Sequence, residues 1–233
     1  MNILCSIHAR GGSSGIKNKN IKLICSKPLI THTIDQAKKV QLFSEIVVST
    51  DSLKIQKIAI QNKVASWFLR NKKLSSNHAA KILAIRDTLI RSESFFKKNF
   101  DIIVDLDATS PLRNVADIKN ALIFFKKKSF EILFSVCDAR KNPYFNMIEV
   151  VNNKVKIVKK RNFSIVRRQD APKVYEANAS IYIWKRDALL KNETLFTKKT
   201  GVFVMPVERS MDIDNKLDFE IVSYLMKKNA LKK

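Results

Sequence analysis

The hydrophobic and polar positions of this chain alternate between short apolar runs and longer amphipathic stretches. The short runs are rich in Ile, Val and Leu and end in polar residues, which is typical of strands buried on both faces. The longer stretches repeat apolar residues at every third or fourth position, as helices that cover a sheet do. The pattern therefore predicts an α/β fold with a doubly wound, mostly parallel sheet.

The boundaries of the predicted elements follow from these runs. The main strands are predicted at residues 2–7, 45–49, 101–106, 131–137, 179–184 and 202–206, with a short strand near residues 66–68. Helices are predicted at residues 28–40, 53–61, 78–94, 116–127 and 215–231. Pro28 is expected in the first turn of its helix, because its φ angle already suits a helix. In the helix at residues 78–94, the buried face is expected to carry Ile82, Ile85, Leu89 and Ile90.

The alternation of strands and helices changes after residue 137. Two short apolar runs at residues 147–151 and 154–158 flank Asn152-Asn153, a sequence that predicts a hairpin with positive φ in its turn. Residues 162–174 are polar and are expected to be irregular. We predict one domain over residues 1–233 with a dimerisation insertion at about residues 138–174. The aromatic pair Tyr144-Phe145 in polar surroundings favours a homodimer through this insertion.

The charge balance favours an anionic partner. The chain has 233 residues and a formal net charge of +23, and its lysines are spread along the whole length. A basic balance of this size permits a nucleic-acid-binding protein without catalysis, and this stays the alternative from another class. However, no RNP aromatic pattern, zinc-finger spacing or basic heptad is present. We therefore expect an anionic small-molecule substrate and no nucleic acid.

Cysteine use and hydropathy predict a cytoplasmic protein. Cys5, Cys25 and Cys137 are scattered without metal-ligand spacing, so they are expected to be apolar packing residues. The sequence contains neither a signal-peptide pattern nor an apolar run of about 18–20 residues, the length that spans a bilayer. We expect no membrane partner.

A glycine-rich basic loop follows the first predicted strand, with the sequence I-H-A-R-G-G-S-S-G-I-K-N-K-N at residues 7–20. It contains three of the four glycines of the chain, Gly11, Gly12 and Gly15. Such positions can reach positive φ and let backbone N–H groups approach a phosphate closely. The cations and hydroxyl donors of the loop are Arg10, Lys17, Lys19, Ser13 and Ser14. The loop matches neither a P-loop nor a Rossmann fingerprint, and a solvated turn is the alternative.

Polar clusters also follow the later strands, at the edge where open α/β sheets bind ligands. Asp212 and Asp214 flank one apolar residue, so on extended backbone both carboxylates face the same side and could bind Mg²⁺. Alternatively, one of them caps the helix that follows. A further cluster lies at residues 105–113, and the alternative for residues 107–113 is a turn in which Pro111 sets φ and Thr109 or Ser110 caps the next helix. Arg70 heads a polar loop, and a third cluster lies at residues 176–180.

Together these motifs resemble, in the same order, those of the CMP-sialic acid synthetase family of cytidylyltransferases. Residues 9–20 resemble the family's A-R-x-G-S-K-G-x-x-x-K-N, and residues 48–51 match its V-S-T-D. Residues 69–70 match its L-R, residues 109–113 its T-S-P-L-R, residues 178–182 its N-[GA]-x-I-Y and residues 212–214 its D-I-D. Each motif alone is weak, but their shared order from residue 3 to residue 220 is specific.

The resemblance implies a nucleotidyltransferase fold and transfer of CMP from CTP to the anomeric hydroxyl of an acidic nine-carbon keto-sugar, with release of pyrophosphate. It implies Mg²⁺ as the cofactor, held by Asp212 and Asp214. The implied catalytic residues are Arg10, Lys19 and Asp214. The implied nucleotide-binding residues are Ala9, Arg10, Gly11, Ser13, Asn20, Arg70, Ser76 and Asn77. The implied sugar-binding residues are Asp107, Thr109, Ser110, Arg168, Gln169, Glu176 and Asn178.

Departures from the family's pattern point to a particular sugar. Ser14 stands where the family has Lys, and Asp107 stands where it has Gln. Glu176-Ala177 replaces the Arg-Pro of sialic acid enzymes. Two acids should not face the sugar carboxylate, so Arg168 is its expected partner. The acids resemble instead the branch that activates legionaminic acid, whose second acylamino group can donate hydrogen bonds to them. N-Acetylneuraminate and Kdo remain alternatives.

Overall fold

The computed structural model describes residues 1–13, 15–76, 79–163 and 165–231. Its strands are β1 (Ile3–His8), β2 (Leu23–Ile24), β3 (Lys27–Pro28), β4 (Glu45–Ser49), β5 (Ile102–Leu106), β6 (Ile132–Asp138), β7 (Ile148–Val151), β8 (Lys154–Ile157), β9 (Tyr175–Lys185) and β10 (Thr200–Val204). Its α-helices are α1 (Leu29–Val40), α2 (Leu53–Gln61), α3 (Lys72–Ser75), α4 (Lys81–Phe96), α5 (Val115–Lys127), α6 (Arg186–Lys191) and α7 (Lys216–Ala230).

Six strands form the central sheet, in the order β10-β6-β9-β5-β1-β4. Strand β1 pairs in parallel with β4 and β5, and β10 pairs in parallel with β6. Strand β9 lies antiparallel between β5 and β6. The predicted α/β class with a mostly parallel sheet is confirmed. Because the parallel strands share one direction, their carboxyl ends meet at one edge, where ligands of such folds bind.

Two helical layers cover the sheet, because alternate residues of each strand point to opposite faces. One face buries Cys5 and Val104 against α1, α2 and α5. The other face buries Leu4, Ile103 and Trp184 against α4 and α6. Burying apolar surface on both faces explains why these strands are apolar throughout rather than alternating.

A smaller apolar cluster fixes the edge at which the strands end. Ile16, Leu112 and Ile213 are buried there with Val222 of α7. Ile16 follows the glycine loop, Leu112 lies in the loop after β5, and Ile213 separates the two predicted metal ligands. The same cluster therefore brings three separate segments of the predicted site to one place.

Some predicted elements differ from the structure. Residues 66–68 form no strand. The residues on either side of them form single β-bridges instead, Ala65 with Val47 and Leu69 with Thr50. Helix α4 begins at Lys81, and Ile90 is exposed although it was predicted on the buried face. The polar stretch at residues 162–174 contains a short 3-10 helix at Arg168–Asp170. The first of these differences arises because backbone pairing here stops after one residue, which the side-chain pattern cannot reveal.

The hairpin after β6 has the predicted turn. Strands β7 and β8 pair antiparallel, and Asn152 and Asn153 adopt φ angles of 51° and 59°. Cys5 and Cys137 are buried free thiols, and Cys25 is a partly exposed one. Across the described ranges, no helix combines the length and the apolar character needed to cross a bilayer.

Candidate active site

A cavity of about 420 Å³ opens at the carboxyl ends of the strands. Its ionisable lining residues are His8, Arg10, Lys19, Arg70, Lys81, Asp107, Asp212 and Asp214. Ser13, Asn20, Ser75, Ser76 and Thr109 add polar groups. Cations from the glycine loop and carboxylates from two later loops thus share one cavity, which suits a ligand that carries both phosphates and hydroxyl groups.

Close contact, rather than positive φ, accounts for Gly11 and Gly15 of the loop. The positive φ that glycine permits is not used here, because none of the glycines in the described ranges adopts it. The Gly11 N–H instead donates to Asp51 Oδ1 at 2.7 Å. A Cβ on Gly15 would lie 2.0 Å from the backbone oxygen of Asp214, a contact that no side chain could make. Glycine at this position lets the loop pack directly on the acidic segment.

Lys19 and Asn20 fix the far end of the loop in a short 3-10 helix, Lys19–Ile21. The Lys19 ammonium donates to the backbone oxygen of Ile213 and lies 3.4 Å from Asp214 Oδ1. The Asn20 amide donates to the backbone oxygen of Arg10 at 3.0 Å. Lys19 therefore links the basic loop to the acidic pair, and Asn20 holds the backbone of Arg10 in place. Ser14 lies outside the described residues.

The acidic pair faces the cavity as its spacing predicts. Asp212 and Asp214 both line it, while Ile213 between them is fully buried and donates its backbone N–H to Thr109 O at 3.0 Å. Burial, followed by repulsion from Asp214, raises the pKa of Asp212 to about 6. Neither aspartate caps α7, because Asn215 is its cap and forms a capping box with Asp218. The pair is therefore available to a cation.

The donors fit a magnesium ion that also binds phosphate. In the described part of the chain, no three His, Cys, Asp or Glu side chains converge as a complete metal site. Mg²⁺ typically takes one or two carboxylates and completes its shell with water and substrate phosphates. Burial and the neighbouring Asp214 both disfavour the ionised form of Asp212, and a divalent cation beside the pair would offset both effects.

A buried chain of ionisable groups, which the sequence reasoning missed, forms one wall of the cavity. Asp105 is fully buried; its Oδ1 lies 2.7 Å from His8 Nδ1, and its Oδ2 lies 2.7 Å from Lys81 Nζ. Lys81 also lies 2.7 Å from Asp107 Oδ2. Burial alone would raise the pKa of Asp105, but Lys81 and His8 outweigh it and hold this pKa well below its usual range. The sequence did carry a signal for this group of residues, because Asp105 lies inside an otherwise apolar strand.

The predicted nucleoside-binding residues line another side of the cavity. Arg70 is 7% exposed and donates from Nε to Ser75 Oγ at 3.0 Å. Burial lowers the pKa of Arg70, an effect that Asp51 opposes. Ser76 lies beside it in the lining, and Asn77 lies outside the described residues. Ala9 is buried and donates its N–H to Ser49 O, so it supports the loop from behind.

The predicted sugar-binding residues divide into three groups. Asp107 and Thr109 line the cavity, and the Thr109 hydroxyl donates to Asp107 Oδ1 at 3.2 Å. Ser110 is fully buried and donates to Ala179 O at 3.1 Å. Asn178 is also buried and forms hydrogen bonds with two serines. Ser110 and Asn178 therefore link β9 to β6 and to the neighbouring loops, and their side chains are buried in these contacts.

The third group lies outside the lining of the cavity, with Arg168 and Gln169 in the insertion and Glu176 in β9. Arg168 is exposed and lies 3.4 Å from Ala139 O through Nη2, and Gln169 is exposed in the same 3-10 helix. Glu176 is exposed and accepts a weak hydrogen bond from the Cys137 thiol at 3.4 Å. The structure of one chain does not bring these side chains to Asp107.

Arg113, whose role the sequence left open, holds the loop after β5. It is 1% exposed and donates to Ser180 O at 2.6 Å, to Gln36 Oε1 at 3.0 Å and to Asp107 O at 3.3 Å. Burial lowers its pKa to about 10, although Asp107 opposes the shift. Arg113 therefore ties α1 and β9 to the loop that carries Asp107.

Comparisons with known proteins agree with this geometry. A sequence model of the cytidylyltransferase family matches residues 4–232. The chain is 48% identical over 229 residues to post-translational flagellin modification protein B of Campylobacter coli, a match that covers 98% of this chain and 97% of that protein. It is 47% identical over 224 residues to CMP-N,N'-diacetyllegionaminic acid synthase of Campylobacter jejuni, covering 96% of this chain and 94% of that protein.

A solved structure shows the same fold. The chain resembles CMP:2-keto-3-deoxy-manno-octonic acid synthetase complexed with CTP, with a TM-score of 0.70 over 98% of this chain and 100% of that one. Sequence identity between the two is 17%, so this likeness concerns the fold.

Proposed function

Because the chain belongs to the cytidylyltransferase family, we propose that it transfers CMP from CTP to the anomeric hydroxyl of a nonulosonic acid, with release of pyrophosphate. One observation carries the proposal: the glycine loop and the acidic segment meet in one cavity, where Lys19 lies 3.4 Å from Asp214. A triphosphate bound on the loop would therefore have carboxylates suited to a cation beside it. The alternative of a nucleic-acid-binding protein without catalysis does not explain this convergence.

The triphosphate is proposed to bind between Arg10, Ser13 and Lys19. These side chains all line the cavity, and the two cations would offset the charge of the phosphates. Displacement at phosphorus needs little covalent chemistry from the protein, so positioning and charge neutralisation carry most of the rate enhancement. Asn20 contributes by holding the backbone of Arg10.

Asp212 and Asp214 are proposed to hold Mg²⁺. When bound, the ion would supply Lewis-acid stabilisation of the phosphate charge that develops during transfer. The residues of the chain orient it: the Ile213 backbone fixes both carboxylates, and Lys19 contacts Asp214 from the loop side.

The metal assignment is tested with Asp214→Asn. We expect a loss of about 10²-fold or more in rate, because one anionic ligand and its electrostatic contribution are removed. The side chain of Asp214 is 76% exposed, so the melting temperature should stay close to that of the wild type. Glu220→Gln, which removes an exposed acid of α7, is the matched control. Wild-type turnover of Asp214→Asn at saturating Mg²⁺ would show that the assignment is wrong.

The sugar is proposed to be a diamino-nonulosonic acid such as legionaminic acid. Asp107 in the cavity is an acceptor for N–H or O–H groups, and a relative that is 47% identical is a CMP-N,N'-diacetyllegionaminic acid synthase. An acceptor left unpaired by the wrong sugar costs binding energy, which makes such sites selective. Arg168, Gln169 and Glu176 lie outside the cavity of the single chain, so the sugar assignment rests on Asp107 and not on them.

The function is tested with CTP, Mg²⁺ and a panel of legionaminic, N-acetylneuraminic and Kdo substrates, with pyrophosphate release as the readout. We expect turnover that depends on both CTP and sugar, and a higher kcat/KM for the diamino-nonulosonic acid. Equal values, or a preference for neuraminate, would refute the sugar assignment. Absence of turnover with every sugar would refute the transferase itself.

We further propose that the protein acts as a homodimer in the cytoplasm. Free thiols at Cys5, Cys25 and Cys137 suit a reducing compartment, which is also where CTP is available. The dimer is proposed to form through the insertion at residues 138–174, whose hairpin β7–β8 is exposed along nearly its whole length.

A further inference from the structure

Lys81, the first residue of α4, lies at the boundary between the polar cavity and a smaller apolar one. The apolar cavity has a volume of about 300 Å³ and is lined by Tyr182, Trp184 and Phe196 among others. Lys81 lines both cavities. Its side chain is therefore placed to act on a ligand that fills the end of the polar cavity nearest to Asp107.

The ammonium group of Lys81 lies between two carboxylates and an aromatic ring. It lies 2.7 Å from Asp105 Oδ2 and 2.7 Å from Asp107 Oδ2, and 4.6 Å from the centre of the Tyr182 ring. One N–H of the ammonium donates to Asp107, and the charge is also attracted by the Asp105 carboxylate and by the face of the Tyr182 ring. Burial would lower the pKa of Lys81, but Asp105 and Asp107 outweigh it and raise this pKa. Lys81 is thus a cation held between two carboxylates and an aromatic ring.

Asp107 is held from both sides as a result. Its Oδ2 faces Lys81, and its Oδ1 accepts from the Thr109 hydroxyl at 3.2 Å. Each carboxylate oxygen has further lone pairs, so Asp107 can still accept from a ligand. Without Lys81, Asp107 would be a free negative charge in a cavity that must admit anions, and it would repel them.

Asp105, which lies in strand β5, holds Lys81 on the side that faces the sheet. It is fully buried, and Ser6 and His8 contact its Oδ1 at 3.0 Å and 2.7 Å. These contacts leave Oδ2 for Lys81. A buried carboxylate anchored in a central strand is a rigid reference point, so the position of Lys81, and through it that of Asp107, is fixed by the sheet itself.

We propose that Lys81 is a positioning residue for the sugar: it holds Asp107 in one orientation, with its charge compensated, so that Asp107 accepts hydrogen bonds from the sugar without repelling it. This inference rests on the proposed function. It assigns to Lys81 no contact with the reacting atoms. Its consequence is that Lys81 and Asp107 act as a unit, and that their effect concerns the sugar rather than CTP.

A double-mutant cycle with Lys81→Met, Asp107→Asn and the double variant tests the inference. We expect Lys81→Met to lower kcat/KM for the sugar by about tenfold or more, whereas KM for CTP should change by less than about threefold. In the Asp107→Asn background the same substitution should cost less than about threefold, because the charge on Asp107 that would repel the sugar is already gone; the pairing with Asp105 lies below the cavity wall and affects both backgrounds alike. Lys27→Met, which removes a surface lysine paired with Asp35 at 2.8 Å, is the matched control.

Lys81→Arg keeps the experiment decisive if Lys81→Met does not fold. Arginine retains the charge but moves its donors, so it should recover part of the kcat/KM for the sugar, and its cycle with Asp107→Asn should show a coupling of the same sign and smaller size. Independent effects of the two positions, or equal losses for sugar and CTP, would overturn the inference while leaving the transferase intact. Failure of the wild type to turn over any sugar would overturn the proposed function and the inference with it.

Discussion

At the scale of single residues, contact distances decide which glycine of the basic loop matters. Gly11, Gly12 and Gly15 are alike in sequence but differ in surroundings. A Cβ on Gly15 would meet the backbone of Asp214 at 2.0 Å, and a Cβ on Gly11 would meet Ser52 Cβ at 2.9 Å. A Cβ on Gly12 would have no atom within 4 Å. The loop therefore needs glycine where it packs on the acidic segment.

Gly15→Ala is expected to displace the loop from Asp214 and to lower kcat by about 10²-fold, because small misplacements of positioned groups carry costs of that order. Backbone atoms on the other side of the contact cannot rotate away, so the loop itself must move. Steady-state kinetics with CTP varied would measure the change. Gly12→Ala is the matched control and should retain most of the activity. Similar rates for the two variants would show that the contact does not position the loop.

The raised pKa of Asp212 makes the stability of the metal-free protein depend on pH. This pKa is raised from 3.8 to about 6 by burial and by Asp214, so between these values the folded protein binds this proton more than the unfolded chain does. The contribution of Asp212 to stability is therefore most favourable below about pH 4 and is lost as the pH rises to about 6. Above pH 6 the ionised carboxylate is a constant destabilising group.

Asp212→Asn should consequently melt at a higher temperature than the wild type at pH 7 without metal, and this advantage should shrink as the pH falls from about 6 to about 4. Thermal melts of both proteins in metal-free buffer would measure it. The comparison at pH 4 is the internal control. A difference in melting temperature that does not vary over this range contradicts the electrostatic account. The same variant should lose activity, so stability and function would change in opposite directions.

At the scale of elements, one buried guanidinium sets the position of the loop after β5. Arg113 reaches Thr33 and Gln36 of α1, Ser180 of β9 and the backbone of Asp107. These acceptors are neutral, so each would keep a buried lone pair without a donor if the arginine were removed.

Arg113→Met is expected to destabilise the protein by about 2–4 kcal/mol, because several buried acceptors lose their donor together. Urea denaturation followed by circular dichroism would measure the change. Arg91→Met is the control: Arg91 forms an i,i+4 pair with Asp87 on the surface of α4, a kind of pair worth about 0.5 kcal/mol or less. Equal losses in the two variants would contradict the structural role of Arg113.

The sequence predicted elements well where burial alone determines them. The predicted strand at residues 45–49 and helix at residues 53–61 coincide with β4 and α2, because apolar periodicity follows burial directly. Ile90 was misplaced since an apolar residue can sit at the edge of a helix face and remain exposed.

The site was harder to predict than the fold. The order of the motifs along the chain identified the glycine loop and the acidic pair. The match to the cytidylyltransferase model confirms the family that these motifs indicated. Ser110 and Asn178, by contrast, carry residue types suited to sugar binding but are fully used inside the scaffold. The contact of Lys81 with Asp105 and Asp107 joins residues more than twenty positions apart, and only the folded chain reveals it.

At the scale of the whole molecule, the hairpin β7–β8 stands out because one of its faces is apolar. Residues two apart along a strand share a face, so Ile148 and Val150 lie on the same side as their cross-strand partners Ile157 and Val155. Val150 and Val155 are 65% and 67% exposed in the single chain. A two-stranded hairpin with an uncovered apolar face is only marginally stable in water. A second copy of the chain would cover it.

Val150→Lys with Val155→Lys is therefore expected to convert a homodimer into a monomer, because two directly opposed cations would face the apolar surface of the partner. Light scattering at micromolar concentration would give the molar mass. Glu149→Lys is the matched control: it adds positive charge to the same strand but on the opposite face, and it should remain a dimer. The double variant should keep its fold, since the hairpin lies outside the three buried clusters. A wild-type protein that scatters only as a monomer would contradict the dimer, and a dimeric double variant would place the interface elsewhere.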